Sequence, residues 1–130
     1  MLNIDKVSRV PIYEQVIEQV EMKIRFGDFA EGELLPSVRA LSVMLNVNPN
    51  TLQKAYAELE RRGLCRSAPG NGRFVSAGAR EIIARGMREK LRSFGALAAR
   101  LHGEGATAKE LHGAVDEATG AGAEGRTTDD

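Results

Sequence analysis

The sequence predicts a mainly α chain with one small β-hairpin, and three observations carry that prediction. Apolar residues recur at helical spacing in five separate stretches. A Pro/Gly/Asn cluster at residues 68–72 sits between two short extended runs. At 130 residues, the chain has room for one modest core and not for a large enzyme barrel.

The first helix is expected to open at Pro11, because proline costs nothing in a first turn, where its missing N–H has no partner to lose. Ile12, Val16, Val20 and Ile24, with Tyr13 and Ile17 beside them, form one stripe, while Glu14, Glu18 and Glu21 lie on another face. Gly27 and Asp28 end the helix. The second helix is short: Ser37 after Pro36 offers its hydroxyl as a cap, and Val38, Leu41 and Leu45 follow. Asn46-Val47-Asn48 reads as a turn. Asn48 then caps, and Pro49 opens, a third helix whose inward face is Leu52, Ala55, Tyr56 and Leu59 at i, i+3, i+4, i+7. Gly63 is placed to end it in a left-handed conformation.

The hairpin is expected from Leu64-Cys65-Arg66-Ser67 and Arg73-Phe74-Val75 around the tip Ala68-Pro69-Gly70-Asn71-Gly72. A longer helix over Ala79 to His102 follows. Its seam, Ile83, Met87, Leu91, Phe94, Ala98 and Leu101, steps almost as a heptad. Gly86 and Gly95 interrupt it; they either permit close helix approach or weaken the helix by about 1 kcal/mol each. Thr107 caps a last helix striped with Leu111, Ala114, Val115 and Ala118, and no fixed structure is expected from Gly120 on.

Two short helices across a tight turn, followed by a hairpin, make a winged helix-turn-helix followed by a two-helix C-terminal segment. In such an arrangement the third helix offers its first turn to the major groove of DNA. With its apolar face turned inward, Asn50, Thr51, Gln53 and Lys54 point outward; amides read base edges, and hydroxyls and ammonium groups take phosphate or base acceptors.

Charge at first argues the other way, since 18 basic and 18 acidic side chains cancel. The distribution reverses that reading. Residues 34–78 carry six basic and two acidic side chains, and residues 79–103 carry the same. Residues 1–33 carry four and seven, and residues 104–130 two and seven. Phosphate contact needs local positive charge, which the expected helix-turn-helix and hairpin have.

Other functions are poorly supplied. His102 and His112 are the only histidines and Cys65 the only cysteine, a poor zinc set, and no cofactor is expected. Gly70-Asn71-Gly72 lacks the lysine and hydroxyl of a phosphate loop, and no nucleophile–base grouping stands out, so no enzyme is expected. Cys65 reads as a buried small hydrophobe, with a redox sensor as the alternative. The single cysteine, the absence of a signal-like start and the absence of an 18-residue apolar run fit a cytoplasmic protein that binds no membrane.

The run LPSVRALSVMLNVNPNTLQKAYAELERRGLCRSAPGNGRFV, with PIYEQV before it, resembles the DNA-binding domain of the GntR family of bacterial transcription regulators. The phrase NVNPNTLQKAYAELE and the short C-terminal part resemble its YtrA-type subfamily, in which a pair of helices dimerises. The resemblance implies a repressor, with a target that includes its own operon and transporter genes. It implies that Arg39 contacts phosphate, that Asn48, Asn50, Thr51 and Gln53 serve the start of the recognition helix, and that Gly70 permits close approach of the wing to DNA, flanked by Asn71 and Arg73. Many members carry Arg where this chain has Pro49, so base preference cannot be borrowed from them.

The expected organisation is therefore a winged helix-turn-helix over residues 1–77, a dimerisation segment over 78–119 and a tail over 120–130. Two helices alone are poorly stable, and a second copy would bury the seam of Ile83, Met87, Leu91, Phe94 and Leu101. The expected partners are double-stranded DNA, read as an inverted repeat, and a second copy of the chain. The large ligand-binding domains of other subfamilies are not expected, and nothing in the sequence names a small-molecule effector. The alternative is a winged-helix module that docks a protein rather than DNA.

Overall fold

The computed structural model describes residues 2–121 and divides into two compact units, residues 1–86 and 87–130. The part of the expected tail from residue 122 on lies outside the described residues. In chain order the elements are α1 (Ile12–Arg25), α2 (Val38–Leu45), α3 (Pro49–Arg61), β1 (Cys65–Ala68), β2 (Gly72–Val75), α4 (Ala79–Gly103) and α5 (Ala108–Thr119). This is the winged helix-turn-helix with two further helices that the pattern predicts. No helix among the described residues is long and apolar enough to cross a membrane.

In the first unit the expected stripes are the core. Val16, Val20 and Ile24 of α1, Leu41 of α2, and Leu52, Ala55, Tyr56 and Leu59 of α3 are buried together with Leu64 and Val75 of the hairpin. Ser37 caps α2 by accepting from Ala40 N at 3.0 Å. Asn46 ends α2 in the left-handed region, at φ +54°, which asparagine tolerates better than most residues. The turn is closed by Ser42, whose hydroxyl donates to Val47 O at 2.8 Å. Asn48 accepts from Asn50 N at 2.7 Å and so starts α3.

Three features of this unit are not evident from the sequence pattern. Gln15, buried on α1, accepts from Asp5 N and donates to Asp5 O and Val10 O, at 2.8–2.9 Å. With Gln19, which pairs the same way with Asn3, it holds the N-terminal residues on α1 and buries Leu2. Residues 32–35 run beside β2, with Val75 N donating to Glu33 O at 2.9 Å and Leu35 N to Arg73 O at 2.8 Å. At the first turn of α4, Glu31 accepts from Arg80 N at 3.0 Å.

A fourth feature concerns Arg61 and Arg62 at the end of α3, which are exposed, as a solvated helix end would be, and also carry ion pairs. Arg61 meets Glu58 at 2.6 Å, and Arg62 bridges Glu58 at 2.8 Å and Glu21 of α1 at 2.7 Å. The hydrogen bonds from Arg61 and then Arg62 hold the Glu58 carboxyl at about 2, below its ordinary 4.5. A carboxyl lowered on folding stabilises the fold above the ordinary range, and that contribution fades as pH falls from 4.5 towards 2. Glu58→Gln is therefore expected to lower the urea midpoint at pH 6, with the gap to the parent closing near pH 2.5. An equal gap at both values would show that the ion pairs contribute nothing.

The second unit is the remainder of α4 followed by α5. Thr107 and Glu110 form a reciprocal capping box, Glu110 N donating to Thr107 Oγ1 at 3.0 Å and Thr107 N to Glu110 Oε1 at 2.9 Å. Neither element buries an apolar side chain within this unit: Leu91 is 59% and Phe94 54% exposed, with Leu97, Leu101 and Val115 also open.

Candidate nucleic-acid interface

The buried face of α3 decides what its other face offers. Since Leu52, Ala55, Tyr56 and Leu59 point into the core, Asn50 and Gln53 stand exposed, Asn48 and Pro49 lie exposed at the helix start, and Thr51 is half-buried. The first turn of α3 contains no acidic side chain, so no carboxylate offsets the partial positive charge of the helix start, although Asn50 N is already capped by Asn48 and Pro49 carries no N–H. Arg39, exposed on the first turn of α2, has no ion pair among the described residues.

The cations of residues 34–78 are not equally available. Arg61 and Arg62 are engaged by Glu58 and Glu21, and Arg73 by Glu60. Arg39, Lys54 and Arg66 have no carboxylate partner among the described residues. Lys54 is exposed, but its ammonium stands 4.1 Å from the centre of the Tyr13 ring, so the aromatic face sets its direction. Arg66, exposed on β1, lies 5.4 Å from the Phe74 ring. In the sequence Arg66 contributes to the charge of the segment without standing out. Its position on β1 beside Cys65, which faces the core, was the available signal.

The wing pairs Cys65 with Val75, Arg66 with Phe74, Ser67 with Arg73 and Ala68 with Gly72. At its tip Asn71 N donates to Ala68 O at 2.8 Å, leaving the Asn71 side chain exposed. Gly70 has φ +79° with open space where a Cβ would sit, so glycine serves the backbone turn there and leaves room for a close approach. Gly72 has φ +93°, and a Cβ on it would come within 3.2 Å of Leu34.

Arg73 does not extend into solvent beside the tip. It turns back over α3, where Nε donates to Glu60 Oε1 at 3.3 Å and Nη1 to Gln53 Oε1 at 3.3 Å. Its guanidinium lies 5.5 Å from the centre of the Tyr56 ring. Tyr56 is buried, its hydroxyl donates to Pro36 O at 2.6 Å, and burial raises its pKa far above the ordinary phenol value. Cys65 lies behind the wing, and burial, with the nearby Glu60 charge, pushes its thiol up to about 11. A thiol that resists ionisation is a poor nucleophile, which fits the hydrophobe rather than the redox sensor.

The site is thus a polar helix start, with exposed cations on α2, α3 and the wing. The description "Bacterial regulatory proteins, gntR family" matches residues 12–75, the span from α1 to the end of β2. Over 121 residues the chain is 36% identical to the HTH-type transcriptional repressor YtrA of Bacillus subtilis (strain 168), covering 90% of this chain and 91% of that protein. A GntR family transcriptional regulator from Listeria monocytogenes has a solved structure that is 27% identical, covers 88% of this chain and 98% of its own, and superposes with a TM-score of 0.67. The DNA-binding domain of AraR, solved in complex with operator ORR3, is 28% identical over 57% of this chain and 89% of its own, with a TM-score of 0.51.

Proposed function

Because this chain belongs to the gntR family of bacterial regulatory proteins, we propose that it is a cytoplasmic repressor that binds an inverted-repeat operator as a homodimer. The observation that carries the reading is the start of α3, where Asn48, Asn50 and Gln53 are exposed, the opposite face is fully buried, and Arg39 stands nearby in sequence without a carboxylate partner among the described residues. Such a helix start inserts into the major groove, with amides over base edges and cations on phosphate. Residues 1–77 form the DNA-binding part, in which Asn48, Asn50, Thr51, Gln53, Lys54 and Arg66 face the duplex and Gly70 and Asn71 bring the wing to its backbone.

Residues 78–119 form the dimerisation segment. Support comes from its apolar side chains, which lack cover within their own unit: Leu91, Phe94, Leu97, Leu101 and Val115 are exposed, and Leu97, Leu101, Leu111 and Val115 line an open groove of about 890 Å³. An exposed apolar surface of this kind marks an interaction site. Ile83, at the start of the seam, packs partly on the winged-helix core, so the exposed part of the seam begins beyond it. Two copies would present two recognition helices to half-sites about one helical turn apart. The YtrA likeness supports a target that includes the chain's own operon, with transporter genes in it.

The test is a mobility shift with DNA from upstream of the chain's own gene. Affinity is expected to fall linearly with salt on a log–log scale, and Arg39→Ala to lower that slope by about 1 while weakening all sequences alike. An unchanged slope would remove Arg39 from the phosphate contacts. No specific shift at low salt would replace DNA with a protein as the partner.

A further inference from the structure

We propose that Arg73 is a positioning residue that sets how Gln53 reads DNA, turning its carboxamide so that the NH₂ group alone faces the groove. This rests on the DNA-binding reading above and names what that part of the site recognises. A glutamine side chain carries one acceptor oxygen and one two-proton donor, while an arginine only donates. The atom of Gln53 that meets Arg73 Nη1 at 3.3 Å is therefore its oxygen, whatever rotation the amide adopts elsewhere.

The guanidinium is held by further contacts. Glu60 Oε1 accepts from its Nε at 3.3 Å, and Glu60 is itself held by the Ser67 hydroxyl at 3.1 Å. The Tyr56 ring lies 5.5 Å away, and its hydroxyl is anchored on Pro36 O. A donor fixed in this way keeps the Gln53 oxygen turned back towards the wing. Nε2 is left for the exposed side of α3.

That orientation decides base preference. Reading adenine with two hydrogen bonds needs the amide oxygen on N6–H₂ and the amide nitrogen on N7 together. The oxygen keeps a second lone pair, but with that atom turned back towards Arg73 the group Gln53 presents to the groove is its NH₂ donor. Guanine presents two acceptors, O6 and N7, whereas adenine presents N7 alone and thymine O4 alone, and the amino group of cytosine repels a donor. Gln53 therefore prefers guanine, which offers two acceptors, to adenine, the usual glutamine partner, which is left with N7 alone.

Selection of bound duplexes from a random-sequence pool, with the full chain, tests this. Comparison of the parent with Gln53→Ala identifies the base position that Gln53 reads, because preference flattens there. Guanine is expected over adenine at that position by about fivefold or more. Arg73→Met is expected to release the amide and raise adenine to parity at that position only, and Arg73→Lys, which still donates, to keep guanine ahead. A purely structural role for Arg73 would weaken every position together. Adenine preferred by the parent, no position flattened by Gln53→Ala, or Arg73→Met leaving the preference unchanged would each overturn the proposal. The base preferred by the parent still tests the proposal if Arg73→Met does not fold. Enrichment of no sequence by the parent would overturn the DNA-binding reading and this proposal with it, whereas specific enrichment with adenine at that position would overturn this proposal alone.

Discussion

Leu91→Glu is expected to abolish the proposed dimer and to weaken operator binding by about 100-fold or more. Leu91 is 59% exposed in the single chain, between the half-buried Met87 and the open Phe94 on the same seam of α4. A carboxylate there costs the isolated chain little, since glutamate is a good helix former and the position faces water. Across a two-fold interface, however, it would bury two like charges without partners, a strongly destabilising arrangement. Loss of the second copy turns a linked pair of half-site contacts into one, and the linkage alone is worth roughly 10² to 10⁴ in affinity. Sedimentation and operator titration measure the two effects, and circular dichroism checks that helix content holds. A stable dimer with unchanged affinity would place the interface elsewhere.

Leu59→Ala is expected to destabilise the winged-helix unit by about 3 kcal/mol, within the roughly 2–5 kcal/mol seen for buried leucine truncations. Leu59 is fully buried in the α3 face that packs into the common core, so its truncation leaves a cavity that its neighbours refill only in part. In a unit of this size that corresponds to a fall in melting temperature of roughly 12–24 °C. The folded fraction should retain its operator affinity, because Leu59 lies on the face of α3 opposite the exposed amides. Val43→Ala, at a position 80% exposed, should stay within about 0.5 kcal/mol of the parent. Equal effects from the two substitutions would mean that α3 is not packed as described.

The two substitutions also mark how much of the molecule is legible in its sequence. Leu59 is readable as core because a helix that buries one face repeats its apolar residues every three to four positions, and α3 does so without a break. The same periodicity exposes Asn50 and Gln53 by subtraction. Asn48, Pro49 and Gly63 mark where α3 starts and stops, since caps and left-handed turns depend on neighbours only a few residues away. Leu97 is not in the expected seam of α4, although it is exposed, because a heptad step assigns one line of residues and cannot see what a neighbouring element leaves uncovered.

The sequence by itself determined the order of elements, their caps, the buried face of each helix in the first unit and the polar face of α3, because all of these are local and periodic. Only the tertiary structure decided which charges are available. Arg62 reaches Glu21 across 41 positions, Lys6 reaches the Asn46 carbonyl across 40, and Arg73 reaches back across 20 to Gln53. A long flexible cation carries the same charge in the sequence whether it meets solvent, a carboxylate or an amide. Its partner is set by which elements the apolar core brings side by side, and so the role of Arg73 became visible only once the wing was folded against α3.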